Sequence, residues 1–150
     1  EKTSIANSAY WDLLNIKNGL PFIDSKTREE FVPQMANMEL INGVSFEKGC
    51  YTGQEIVART HYLGKQKRRT YRIKIISDST PRAGDQLATE TSTENQYTGT
   101  LVNVYQTAKN KFEALAVIQI KAAESEMLKL KDAEAEITVL EMPYSLEEKK

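Results

Sequence analysis

Apolar and polar positions along this chain follow two periods, one after the other. Between residues 8 and 17, Tyr10, Leu13 and Leu14 recur at helical spacing, with Lys17 continuing the row. Asn7 or Ser8 supplies a cap for that predicted helix, and Gly19 stops it. Pro21, Phe22 and Ile23 read as extended. Thr27 and Glu30 have capping-box spacing ahead of Phe31 and Val32, and Pro33 limits the predicted helix to a turn. Asn42-Gly43 marks a further turn, and Val44-Ser45-Phe46 alternates as a brief strand.

From Thr70 onward the period becomes two. Tyr71, Ile73 and Ile75 alternate with Arg72 and Lys74, the pattern of a half-buried strand. Residues 81–85 read as a turn, 86–89 as a short strand, and 97–105 as a longer one with Gly99 as a bulge. Residues 107–111 are polar and predict a hairpin loop. Residues 112–120 form the most apolar run and predict a central strand, while Ile137 and Val139 mark one face of a last strand within 134–141. Residues 122–130 fit a helical turn or an irregular loop, and 147–150 read as a frayed tail. The expected fold is α+β. A helical and loop-rich part occupies 1–66, followed over 67–150 by a small antiparallel β-barrel or sandwich.

Composition narrows the classes of function. At 150 residues the chain holds one domain, or one small domain and part of another. Twenty Lys and Arg against 21 Asp and Glu leave a net charge of -1, which argues against a protein that coats polyanions, although patches can differ locally. No run of eighteen apolar residues predicts a membrane-spanning helix. The first residues, Glu1-Lys2-Thr3-Ser4, carry neither a starting methionine nor the apolar core of a signal peptide, so the chain is expected to derive from something longer. One cysteine, Cys50, and one histidine, His61, exclude an internal disulfide. They are also too few soft ligands for a zinc or iron–sulfur site within the chain alone. A reducing, cytoplasmic compartment is expected.

The informative segment is Lys48-Gly49-Cys50-Tyr51-Thr52-Gly53-Gln54-Glu55, followed by Ile56-Val57-Ala58-Arg59. Thr52 and Glu55 form a second capping box, so a helix is expected with Thr52 as its N-cap and with Ile56 and Val57 on its buried side. Cys50 then sits just before a helix start and near Lys48, and both features favour thiolate over thiol. Gly49 and Gly53 leave the adjacent backbone uncrowded. The plainer reading is that Cys50 is one more small buried side chain.

This segment resembles the signature of the YgfZ family of folate-binding proteins. The resemblance extends to Pro33-Gln34-Met35 and Asn37 upstream, to Gly43-Val44-Ser45-Phe46, and to Tyr62-Leu63-Gly64-Lys65 and Lys67-Arg68 downstream. It covers roughly residues 20 to 70 well. The resemblance implies the aminomethyltransferase-like (GcvT-like) fold, with residues 1–66 forming the end of a folate-binding module and 67–150 the C-terminal barrel. It further implies an accessory protein that binds tetrahydrofolate and supports iron–sulfur enzymes, among them the one that methylthiolates tRNA. Family members carry two mixed α/β modules ahead of the barrel and build most of the folate pocket from them, so weak or absent folate binding is expected of this chain. The residue carried over as critical is Cys50. A tetrahydrofolate-dependent aminomethyl- or methyltransferase is the rival implied by the same fold.

A third reading starts from the stretch 59–74, where Arg59, Lys65, Lys67, Arg68, Arg69, Arg72 and Lys74 occur without Asp or Glu. Such a run suits contact with tRNA phosphates or a docking partner, with Tyr62 and Tyr71 available to stack. Equally, it suits a solvated strand edge, where like charges discourage pairing. His61 is expected at the surface, Tyr10 and Trp11 in the core, and Met35 and Met38 as gap fillers.

Overall fold

The computed structural model describes residues 7–49, 53–63, 66–90, 92, 96–125 and 127–146. Helix α1 (Ala9–Lys17) begins where Asn7 turns its side-chain oxygen to the Ala9 N–H at 3.1 Å. It ends at Gly19, φ +65°, with Leu20 N–H donating to Asn15 O and Gly19 N–H to Ile16 O. That pair of bonds satisfies the last carbonyls, and the left-handed residue between them is one only glycine adopts freely. Helix α2 (Gln54–Leu63) follows the signature cysteine. The remainder is β1 (Arg68–Ile76), β2 (Gln86–Thr89), β3 (Gly99–Ala108), β4 (Lys111–Gln119), the short helix α3 (Ile120–Ser125), β5 (Leu128–Leu130) and β6 (Glu136–Leu140).

The six strands form one sheet in the order β5-β2-β3-β4-β1-β6, and every pairing is antiparallel. The two edge strands, β5 and β6, come within 8 Å of one another, so the sheet curls into a nearly closed barrel. The fold is α+β. Its interior holds Ile73 and Ile75 of β1, Leu87 of β2, Leu101 of β3, and Phe112, Ala114 and Ile118 of β4. Strand β4 lies between β3 and β1 and also buries its other face, Leu115 and Val117. Helix α1 covers β3 and β4 from outside, turning Leu13 and Ile16 inward. Among the described residues no helix is long and apolar enough to cross a membrane.

Several expectations are corrected. Residues 25–30 make turns rather than a helix: Thr27 Oγ1 accepts from Asp24 N–H at 3.3 Å, and Glu29 sits at φ +64°. A threonine engaged backward does not cap forward, and the left-handed Glu29 breaks the helical path. Val44-Ser45-Phe46 has no strand partner among the described residues and is irregular. The 107–111 loop shrinks to Lys109-Asn110, with Asn110 at φ +59°, because the strands pair almost to their ends. Gly99 is not a bulge; the register shifts fall between Leu101 and Asn103 and between Gln106 and Ala108. Residues 122–130 resolve into the end of α3 and β5, flanking position 126, which is outside the described residues. Tyr10 and Trp11 are not core; they are 46% and 66% exposed, since α1 buries the Leu13 and Ile16 side.

Candidate functional site

Ahead of the signature residues in the chain lies a segment without regular structure that is bonded to both α2 and the barrel. Residues 33–43 are a succession of turns, yet Gln34 and Asn37 within them are 2% and 0% exposed. Gln34 Nε2 donates to Val57 O of α2 at 2.6 Å, and Asn37 Nδ2 donates to Thr70 O of β1 at 2.8 Å. Thr70 Oγ1 donates in turn to Met35 O at 2.9 Å. These bonds fix α2 relative to β1 by way of the turns. Met35 and Met38 are half-buried there. Gln34 Oε1 is buried with no partner among the described residues.

A second clasp is ionic and aromatic. Arg69, 3% exposed, reaches Glu39 Oε1 at 3.5 Å, and His61 Nδ1 lies 3.4 Å from Glu39 Oε2. The His61 ring stacks on Phe46 with centroids 3.8 Å apart, and Tyr62 meets both rings edge-on. His61 is at the surface, as expected, with a role the single residue did not announce: it joins α2 to residues 39 and 46.

Cys50, Tyr51, Thr52 and Lys65 lie outside the described residues. The flanks of the cysteine are described. Lys48 and Gly49 are exposed on one side, and Gly53, exposed and at φ +89°, precedes α2 on the other. A Cβ built on Gly49 or Gly53 meets nothing within 4 Å among the described residues. The backbone at Gly49 and Gly53, the described residues nearest Cys50 on either side, is therefore uncrowded by other described residues. Helix α2 begins one residue later than the capping box required: with Gly53 left-handed, Gln54 is the first helical residue and Glu55 stays in the first turn. Glu55 and Arg59 are exposed and Gln54 half-buried. Val57 is buried at 7%, whereas Ile56 is 63% exposed, so only one of the two apolar positions expected on the inner side of α2 is buried.

The basic stretch divides. Arg69 is buried against Glu39 and is withdrawn from solvent. Arg72 pairs with Glu113 at 2.9 Å across the β1–β4 ladder, and Tyr71 is buried within the barrel rather than free to stack. Lys67 is exposed, and Arg68 lies over the ring of Tyr97, 5.2 Å from its centroid. Tyr97 was not among the residues singled out from the sequence; an aromatic beside a buried strand start carries no local signal of its partner 29 positions away.

No protein-family model matches the chain. It is 37% identical over 147 residues to the tRNA-modifying protein YgfZ of Pectobacterium carotovorum subsp. carotovorum (strain PC1), across 97% of the chain and 44% of that protein. It is 38% identical over 145 residues to the protein of that name from Aliivibrio fischeri (strain ATCC 700601 / ES114), across 97% of the chain and 45% of the relative. Over 151 residues it is 34% identical to the one from Yersinia enterocolitica serotype O:8 / biotype 1B, spanning 46% of it. The chain thus spans less than half the length of the curated relatives it matches.

Proposed function

From the finding that nearly the whole chain is homologous to the YgfZ proteins, we propose that it belongs to a factor that supports tRNA modification through its signature cysteine. The observation that carries this reading is the backbone at Gly49 and Gly53, which flank the signature cysteine in sequence ahead of α2 and are uncrowded among the described residues. Lys48 and the first turn of α2 favour the thiolate there. A thiolate in that setting engages sulfur, iron or a one-carbon unit transiently. Alone it supplies one ligand, so holding an iron–sulfur cluster requires a partner protein, a second copy or glutathione. The clients proposed are iron–sulfur enzymes such as a tRNA methylthiotransferase, and the compartment is the cytoplasm.

Tetrahydrofolate does not fit the described residues unaided. A pteridine needs an enclosing slot, and Glu55 and Arg59 stand exposed on α2 with Gln54 half-buried beside them. Folate binding is therefore proposed for the longer protein, in which residues 1–66 complete an aminomethyltransferase-like module ahead of the barrel.

The test is Cys50→Ala in the longer protein, with methylthiolated nucleosides in cellular tRNA as the readout. The expected result is a loss approaching that of cells lacking the protein, with the variant folded and abundant. Undiminished methylthiolation contradicts the reading.

A further inference from the structure

Once Arg69 and Arg72 are accounted for by carboxylates, the remaining described cations at the start of β1 face a cleft of about 670 Å³. Lys67 and Arg68 line one side; Gln119 at the end of β4, and Lys121 and Glu124 of α3, line the other. Three cations against one carboxylate leave the cleft positive. Neither Lys67 nor Lys121 has an ion-pair partner among the described residues. The floor is rigid, because Arg68 stands opposite Gln119 in the β1–β4 ladder and Ile120 N–H donates to Lys67 O at 3.0 Å. Beside it the Arg68 guanidinium lies over the Tyr97 ring and donates to Tyr97 O at 3.5 Å, and Tyr97 is 40% exposed. A cation stacked on a half-exposed aromatic ring, next to free ammonium groups, offers a base a flat surface and its phosphates counter-charge.

We infer that this cleft binds single-stranded RNA, with phosphates on Lys67 and Lys121 and a base against the Arg68–Tyr97 pair. The choice of RNA over another polyanion rests on the proposed role in tRNA modification. Neutralising about two phosphates gives a log–log salt slope of about −1.4 for a single strand.

The experiment is a fluorescence anisotropy titration of a short labelled single-stranded RNA with the full chain, between about 50 and 200 mM salt. Affinity should fall with a slope of about −1.4. Lys67→Glu combined with Lys121→Glu should weaken binding at least ten-fold and flatten the slope. Tyr97→Ala should weaken it roughly five-fold or more with the slope unchanged, as loss of a stacking surface does. Lys74→Glu, an exposed change on β1 that does not line the cleft, should leave binding within two-fold. Thermal midpoints of all variants should match the parent. The inference is overturned if RNA does not bind, or if Lys74→Glu costs as much as the cleft pair. It is also overturned if an acidic peptide of equal charge competes as well as RNA, which points to a protein partner. Failure here, with Cys50→Ala still abolishing tRNA methylthiolation, removes the cleft and leaves the proposed function. RNA binding intact beside a silent Cys50→Ala does the reverse.

Discussion

Asn37 occupies the place of a missing strand. Strand β6 pairs with β1 only from Arg72 onward, so on that side Thr70 has no strand neighbour among the described residues. The Asn37 amide fills the gap, donating to Thr70 O at 2.8 Å and accepting from Thr70 N–H at 3.4 Å, while Nδ2 also lies 3.3 Å from the Tyr144 hydroxyl. Its φ of +56° is one that asparagine tolerates better than most residues. Asn37→Ala should therefore cost about 3 kcal/mol in urea unfolding, combining unpaired buried backbone groups with strain. A cost below about 1 kcal/mol would show that the amide is dispensable. None of this is legible in the local pattern, because the partners lie 33 and 107 positions away. The same holds for Arg69, where a run of basic residues hides one that is buried against Glu39.

Elements whose order is local were legible, and those held by distant bonds were not. The alternation in Tyr71, Ile73 and Ile75 and the apolar run after Lys111 forecast β1 and β4, because a barrel wall buries one or both faces of a strand. Residues 25–46 misled, since their polar groups bond to β1, α2 and nearby turns instead of forming a helix or strand of their own. Gly99 was noticed for the wrong reason. A Cβ there would lie 2.6 Å from Val117 O and 3.2 Å from Ile118 Cα, so what it permits is the close approach of β3 to β4. Gly99→Ala should lower stability by about 2 kcal/mol or more, as forced backbone separation does. Gly49→Ala, with nothing within 4 Å among the described residues, should leave the thermal midpoint unchanged. Equal losses at the two sites would contradict this assignment.

The molecule as a whole is tied together through Tyr144, whose hydroxyl donates to Gly19 O at 2.8 Å and meets Asn37, so the segment after β6 holds both α1 and the turns before α2. Burial raises the pKa of Tyr144 above 10.0, opposed in part by the Asn37 hydrogen bond and by Arg69. Burial also raises that of Tyr71, with Glu124 adding to the shift. In the unfolded chain both phenols lose their protons near 10, whereas the folded chain retains them, so the folded state binds more protons above that pH. The stability they contribute is fully present below about pH 10 and is lost as pH rises through the folded values. Stability against urea should thus fall above pH 10, and less so in Tyr144→Phe; a flat profile to pH 11 or a Tyr144→Phe profile identical to the parent would refute it. The same frame ties α2 to β1 by way of the turns, through Gln34 and Asn37. The most direct test of the role of Cys50 is the rate of its alkylation by iodoacetamide as a function of pH, since the chain contains a single thiol. An apparent pKa well below about 8.5, rising when Lys48 is replaced by alanine, is the predicted result. A value at or above about 8.5, with slow labelling that accelerates only on unfolding, would mean a buried structural thiol and would contradict the account.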